Sequence, residues 1–212
     1  MKYTHVIWDF NGTILNDMEI GLECVNVMLS RRGLPTVSGL DEYRRLFRFP
    51  IIEYYRMAGF DFEKDDYYTV LAPEWIGLYT ARMERCSLCP GVGETVREIH
   101  NLGLPQLVLS ATESEQLVIQ LRSLGIVGWF DEILGLGNIH AHSKSELAVA
   151  WKTAHPEAVP LFVGDTEHDA ETARAIGADC LLYTKGHQSV DRLSACDVPM
   201  VEKLTDVLQY VK

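Results

Sequence analysis

The sequence predicts an α/β fold: a three-layer, Rossmann-like core on a parallel sheet, interrupted by an inserted all-helical domain. Three observations carry this. An apolar run at residues 4–9 (THVIWD) ends in Asp and meets Asn11-Gly12 at once. The next long stretch keeps a helical period. Beyond Pro90-Gly91, strand-like runs alternate with helical segments of roughly 10–15 residues, the signature of βαβ units and a parallel sheet.

In chain order, residues 4–9 read as a buried strand that delivers a carboxylate to a turn. From Asp17 to about Cys86, apolar residues such as Ile20, Cys24, Val27 and Met28 recur at three- and four-residue spacings. Breaks near Gly33–Gly39, at Pro50, near Gly59–Phe62 and at Pro73 divide this stretch into four or five helices with no strand among them. Helix 93–102, strand 106–110 (QLVLS), helix 113–124 and a short apolar segment around 130–134 follow. Helix 144–154, strand 160–164 (PLFVG), helix 168–176, strand 179–183 (DCLLY) and a last helix near 203–210 complete the chain. The expected core is therefore 1–15 with 90–212, and the expected helical insert is 16–89.

Composition narrows the function classes. The 212 residues are ample for a self-sufficient hydrophobic core. Nineteen Lys+Arg against thirty Asp+Glu leave a net charge of -11, a surface that repels phosphate backbones, so no nucleic-acid partner is expected. That acidity still allows one small anionic substrate, held by local cations and a metal. No apolar stretch approaches the ~18 residues of a membrane span, and the start MKYTHVIWDF lacks the basic segment of a signal peptide. Five unevenly spaced cysteines (24, 86, 89, 180, 196) argue against a disulfide framework, so a reduced, cytoplasmic protein is expected.

Four segments place reactive groups beside strand or helix ends. Asp9 follows VIW, Ser110 closes LVLS, Asp165 closes LFVG, and Lys144 opens a helix. In open α/β sheets, ligands sit beyond the carboxyl ends of the strands. Two carboxylates there suit a hard cation, and a hydroxyl with an ammonium suits a phosphoryl group. Any one of these acids alone reads as a helix N-cap, but four junctions in this order do not.

The arrangement resembles the haloacid dehalogenase superfamily of phosphatases. Its first motif, DxDxT, is matched by Asp9-Phe10-Asn11-Gly12-Thr13, its second by Ser110 in LVLSAT, its third by Lys144 in HSKSE. Its acidic fourth motif is matched by Asp165 and Asp169 in GDTEHDAETARAIGA. The helical insert lies where subclass I of that superfamily carries its cap, and the layout is similar to that of the phosphoglycolate phosphatases. The resemblance implies a magnesium-dependent phosphatase for a small phosphorylated metabolite, working as a monomer or weak homodimer. It makes Asp9 the nucleophile of an aspartyl-phosphate mechanism. It assigns Mg2+ to the Asp9 carboxylate, the Asn11 backbone carbonyl and Asp165, with Asp169 in or next to the coordination shell. Thr13, Ser110 and Lys144, with the amides around Gly12 and Ala111, would cradle the transferring oxygens.

One departure stands out. The second acid of DxDxT, which protonates the leaving group and later activates water, is Asn11 here, and an amide has no proton to exchange near neutral pH. His168, His142 and above all His187 are the candidates to replace it. Two rivals to a phosphatase follow. Asn11 favours a catalytically impaired phosphate-ligand-binding protein or a phosphotransferase, and a metal-independent dehalogenase is disfavoured by the Asp165–Asp169 pair.

Other signals are weaker. Cys86-Ser87-Leu88-Cys89 is a lone CxxC and reads as the hinge back to the core rather than a zinc site. Arg44 and Arg45 read as a solvated helix face, and Arg48, between Phe47 and Phe49, as a contact for the substrate's far anionic group. The tyrosines at 54, 55, 67, 68 and 79 read as helix packing.

Overall fold

β1 (His5–Trp8) opens the fold in the computed structural model, which describes residues 2–137 and 143–212. A tight turn leads to β2 (Leu15–Asn16), then α1 (Met18–Arg31), α2 (Leu40–Leu46), α3 (Ile51–Ala58), one π-helical turn at Tyr67–Leu71, and α4 (Ala72–Thr80). β3 (Ser87–Leu88) returns the chain to α5 (Val92–Asn101), β4 (Gln106–Glu113), α6 (Ser114–Ser123) and β5 (Glu132–Leu136). Next come α7 (Lys144–Ala154), β6 (Pro160–Gly164), α8 (Glu167–Ala175) and β7 (Asp179–Tyr183). The chain closes with α9 (Val190–Ser194), β8 (Met200–Val201) and α10 (Leu208–Val211).

Six strands form one sheet in the order β5-β4-β1-β6-β7-β8, every pairing parallel. Parallel strands are covered on both faces, which is why VIW, LVL and LFV are unbroken apolar runs. Their alternation sorts the side chains. Val6, Trp8, Val108 and Val163 pack with Val96 and Ile99 of α5, while Ile7, Leu107, Leu109 and Phe162 pack with Leu147 and Trp151 of α7 and Ala173 of α8. The predicted three layers are thus observed. β1 lies between β4 and β6, so the chain's direction of travel reverses across β1 and opens a crevice at the carboxyl ends there.

The helical segment keeps a core of its own, built from Val25, Met28, Leu29, Tyr43, Tyr54, Tyr55, Phe60 and Leu71. Its two crossings to the sheet domain form an unexpected antiparallel ribbon, with Leu15 opposite Leu88 and Asn16 opposite Ser87. Two residues per strand are too few to produce a readable period. The same cause hid β8. β4 runs on to Glu113 through a register irregularity after Leu109, where the polar residues SATE break the apolar pattern. The expected last helix begins as a 3₁₀ turn at Leu204–Val207 before α10, and it buries Leu204, Val207 and Val211. No helix among the described residues is long and apolar enough to cross a membrane.

Candidate active site

Asp9 leaves the sheet at this crevice, its N–H still bonded to the Val163 carbonyl at 2.8 Å. The Phe10 carbonyl then accepts from the Ile14 and Leu15 amides at 2.9 and 2.8 Å, folding residues 10–15 into a tight loop. Gly12 sits in that loop at φ +78°, and a Cβ on it would stand 2.3 Å from Asp165 Oδ2 and 2.5 Å from His187 Cδ2. A Cβ on Gly186 would stand 2.2 Å from Asp165 Oδ2. The two glycines let backbone close directly on Asp165, which is fully buried.

Asp9, Asp165 and Asp169 bring one ligand oxygen each within 4.8 Å of the others. Helix α8 explains how Asp169 is held. Thr166 is its N-cap, and Asp169 Oδ2 accepts from the Thr166 amide (2.9 Å), the Thr166 hydroxyl (2.7 Å) and the Asp165 amide (3.1 Å). Its other oxygen faces Lys144 Nζ, which also pairs with Asp9 Oδ1. Lys144 is delivered by the first turn of α7, behind the Ser143 N-cap.

Two of the three carboxylates, Asp9 and Asp169, thus share one ammonium. Burial lifts the Asp9 carboxyl to about 6, although Lys144 pulls it down. Burial also raises Asp165 well above the usual range, opposed by His187 and reinforced by the negative charges of Asp9 and Asp169. Asp169 stays below the usual range, because Lys144 and Thr166 outweigh its burial. Burial works against the Lys144 charge, yet the two carboxylates raise that ammonium above its ordinary value. Asp165 is therefore the acid that Lys144 does not pair with, and the positive group acting on it is His187.

The hydroxyls face inward. Thr13 Oγ1 donates to Asp165 Oδ1 at 3.0 Å. Ser110 Oγ donates to Thr112 Oγ1 at 3.0 Å and accepts from the Thr112 amide at 3.0 Å, and Thr112 Oγ1 donates to Asn11 Oδ1 at 3.1 Å. Ala111, between them, is exposed at the end of β4.

Asp17 was not expected. It stands at the N-cap position of α1 but makes no capping bond. Its buried carboxylate accepts instead from the Gly12 amide (3.0 Å), Asn11 Nδ2 (2.8 Å) and Tyr79 Oη (2.7 Å), and it bonds His187 Nε2 (3.0 Å). Tyr79, read from sequence as packing, also accepts from Asn11 Nδ2 at 3.0 Å. An Asp before a helix signals a cap, and only the fold turns this one inward. Thr112 was missed for a similar reason, as one hydroxyl in a polar strand end.

His187 is buried beside Gly12, with Nε2 on Asp17, Nδ1 on Tyr43 Oη at 2.9 Å, and its ring stacked on Phe47 at 4.8 Å. Both ring nitrogens are committed away from Asp9. Burial opposes the imidazolium, but Asp17 more than offsets this and lifts His187 to about 9. A folded value above the ordinary 6.5 means the pair stabilises fully below about pH 6.5, and that contribution is lost as pH rises through about 9. The urea midpoint is expected to fall between those pH values, with a flatter slope in His187→Gln. An unchanged slope would assign the loss to other groups.

Arg48, expected at the substrate, is bonded back to the carbonyls of Leu46 and Arg45 at 3.1 and 3.2 Å, groups that the end of α2 leaves without partners. Arg44, expected on a solvated face, instead clamps the helical segment to the sheet domain through the Gly186 and Lys185 carbonyls, both at 2.9 Å. The His168 ring lies tilted against Phe49 and 3.6 Å from Glu171, while His142 falls outside the described residues. Cys86 and Cys89 are free thiols. Tyr54 and Tyr55 do pack in the helical core, but Tyr68 is 74% exposed.

Known proteins share this layout. The phosphoglycolate phosphatase of Rhodobacter capsulatus is 22% identical over 188 residues, covering 86% of this chain and 85% of its own. That of Synechococcus elongatus is 22% identical over 215 residues, covering 97% and 96%. Among solved structures, a haloacid dehalogenase-like family hydrolase of Streptococcus pneumoniae superposes with a TM-score of 0.83 at 20% identity, over 100% of this chain and 99% of that one. A predicted phosphoglycolate phosphatase of Haemophilus somnus gives 0.77 at 17% identity, over 100% and 99%. Residues 6–183 match the haloacid dehalogenase-like hydrolase family, a span from β1 through the whole helical segment to β7, and the chain belongs to that family.

Proposed function

We propose that this chain is a magnesium-dependent phosphatase that hydrolyses a small phosphorylated metabolite through an aspartyl-phosphate on Asp9. Residues 16–89 serve as a cap over a core of 1–15 and 90–212. The observation that carries this reading is the buried cluster of Asp9, Asp165 and Asp169 against the single ammonium of Lys144, at the carboxyl ends of β1 and β6. The phosphoglycolate phosphatase relatives support a small phosphorylated substrate.

The residues fit magnesium. All donors are hard oxygens, and the three buried acids have one ammonium, which pairs with Asp9 and Asp169 and not with Asp165, an excess of negative charge that a small divalent ion corrects. The Asp9 and Asp165 carboxylates and the Asn11 backbone carbonyl would hold it, with Asp169 beside them. When bound, the ion supplies positive charge against the phosphoryl oxygens. Lys144 supplies a second positive charge, and the Ala111 amide with Ser110 and Thr13 orients the group, while the Gly12 amide stays on Asp17. One Asp9 oxygen attacks phosphorus, the bond to the leaving group breaks, and water then releases phosphate and restores the carboxylate. His187 is a positioning residue in this reading, since Tyr43 and Asp17 hold both its nitrogens.

Asn11 favours a second reading, a binding protein or phosphotransferase, because its amide cannot exchange a proton. Phosphate release from acetyl phosphate, aryl phosphates and a panel of phosphorylated metabolites, with and without magnesium, decides between them. Release that requires magnesium is expected. Asp165→Ala should weaken magnesium binding by calorimetry at least ~10-fold while the protein still folds. Unchanged affinity would remove Asp165 from the metal site.

A further inference from the structure

Asn11 is held in one orientation, and that orientation has a chemical consequence. Its amide nitrogen carries two hydrogens, and two acceptors take them: Asp17 Oδ2 at 2.8 Å and Tyr79 Oη at 3.0 Å. Reversing the amide would set its oxygen against the Asp17 carboxylate, which already collects the Gly12 amide and the Tyr79 hydroxyl. The carbonyl oxygen is therefore the end turned toward the Ser110–Thr112 strand end, where it accepts from Thr112 Oγ1. The Ser110 hydroxyl hydrogen is spent on Thr112 in turn. One lone pair remains on Asn11 Oδ1, and no hydrogen of that side chain is left to offer.

An acceptor in this place is a poor neighbour for a departing alkoxide, which needs a proton or at least a donor. It suits a leaving group that arrives with its own N–H. We infer that this site is built for phosphoramidates, substrates in which the phosphoryl group sits on an amine or imidazole nitrogen, with Asp17 and Tyr79 as the positioning residues that set this preference. The inference rests on the phosphatase reading and on Asn11 facing the leaving group in it. The step balances without a protein acid. The proton arrives with the substrate, on the bridging nitrogen of a phosphorylated amine or on the second ring nitrogen of a phosphorylated imidazole. An Asp9 oxygen forms the new bond to phosphorus, the P–N bond breaks, and its electron pair stays on nitrogen, so the group leaves as a neutral amine or imidazole whose N–H is accepted by Asn11 Oδ1. Water, oriented by the same oxygen, then attacks phosphorus. The Asp9–phosphorus bond breaks, and the proton from water ends on the phosphate released.

The test compares phosphoramidate and 1-phosphoimidazole with ethyl phosphate, each with magnesium and with the enzyme-free rate subtracted, and uses acetyl phosphate as the control. We expect kcat/KM on the two nitrogen-linked probes to exceed that on ethyl phosphate by at least ~10²-fold, the low end of what a general acid contributes. Asn11→Asp should narrow that ratio at least ~10-fold by raising ethyl phosphate alone. Tyr79→Phe, which frees one amide hydrogen, should narrow it roughly fivefold, about the worth of one hydrogen bond, with the KM for acetyl phosphate unchanged. Equal turnover of ethyl phosphate and phosphoramidate, or an Asn11→Asp gain shared by both, overturns the preference while acetyl phosphate turnover leaves the phosphatase standing. No turnover of acetyl phosphate at all overturns both.

Discussion

Asp9→Asn is expected to lower kcat at least ~10³-fold and to abolish covalent labelling at this position. The amide keeps the shape of the carboxyl but has no charge and no nucleophilic oxygen. Stability should move the other way. Burial already raises the Asp9 carboxyl to about 6, so removing its charge relieves a desolvation cost, and Lys144 keeps Asp169 as partner. A melting temperature no lower than that of the unaltered protein, together with lost turnover, is the expected pair of results. Beryllium trifluoride should attach to Asp9 in the unaltered protein. Attachment to Asp165 with Asp9 untouched would falsify the assignment of the nucleophile.

Lys144→Met carries the largest expected effect on stability. It leaves Asp9 and Asp169 facing each other in a buried pocket with no cation between them. Breaking a buried ion pair from one side costs about 3–5 kcal/mol, against a total of about 5–15 kcal/mol for an ordinary domain. Urea denaturation in the absence of divalent ions measures this. Magnesium should recover part of the loss, since an ion bound only by the folded state stabilises it by mass action. The double variant with Asp169→Asn should be more stable than Lys144→Met alone, because one of the two stranded charges is gone. A single-variant loss below about 1 kcal/mol would mean that the ammonium is not what holds the acids together.

The helices and strands around the sheet were legible because their periods are long and clean. Strands covered on both faces leave apolar runs such as LFV, and α7 and β6 occupy the predicted residues 144–154 and 160–164. Elements of two residues, such as β2, β3 and β8, hold too little pattern to be read. The site divides in the same way. Asp9, Lys144 and Asp165 could be picked out because each follows a strand or opens a helix, Ser110 because it ends an apolar run, and Asp169 because it lies in the first turn after Asp165; local sequence marks such places.

Asp17, Tyr79, Thr112 and Arg44 could not. Each looks ordinary in its own segment: a cap, a packing tyrosine, a polar strand end, a surface arginine. Their roles depend on partners far away in sequence, such as His187 beside Asp17 and the Gly186 carbonyl beside Arg44. By itself, the sequence determined the parallel sheet, the helical insert and which acids reach the carboxyl ends of the strands, because periodicity and junctions are local properties. Only the tertiary structure decided which way the Asn11 amide points, where the Asp17 carboxylate turns and what holds the His187 ring. Those are set by hydrogen bonds closed between the insert and the core, and no local pattern encodes a partner that the chain meets only after folding.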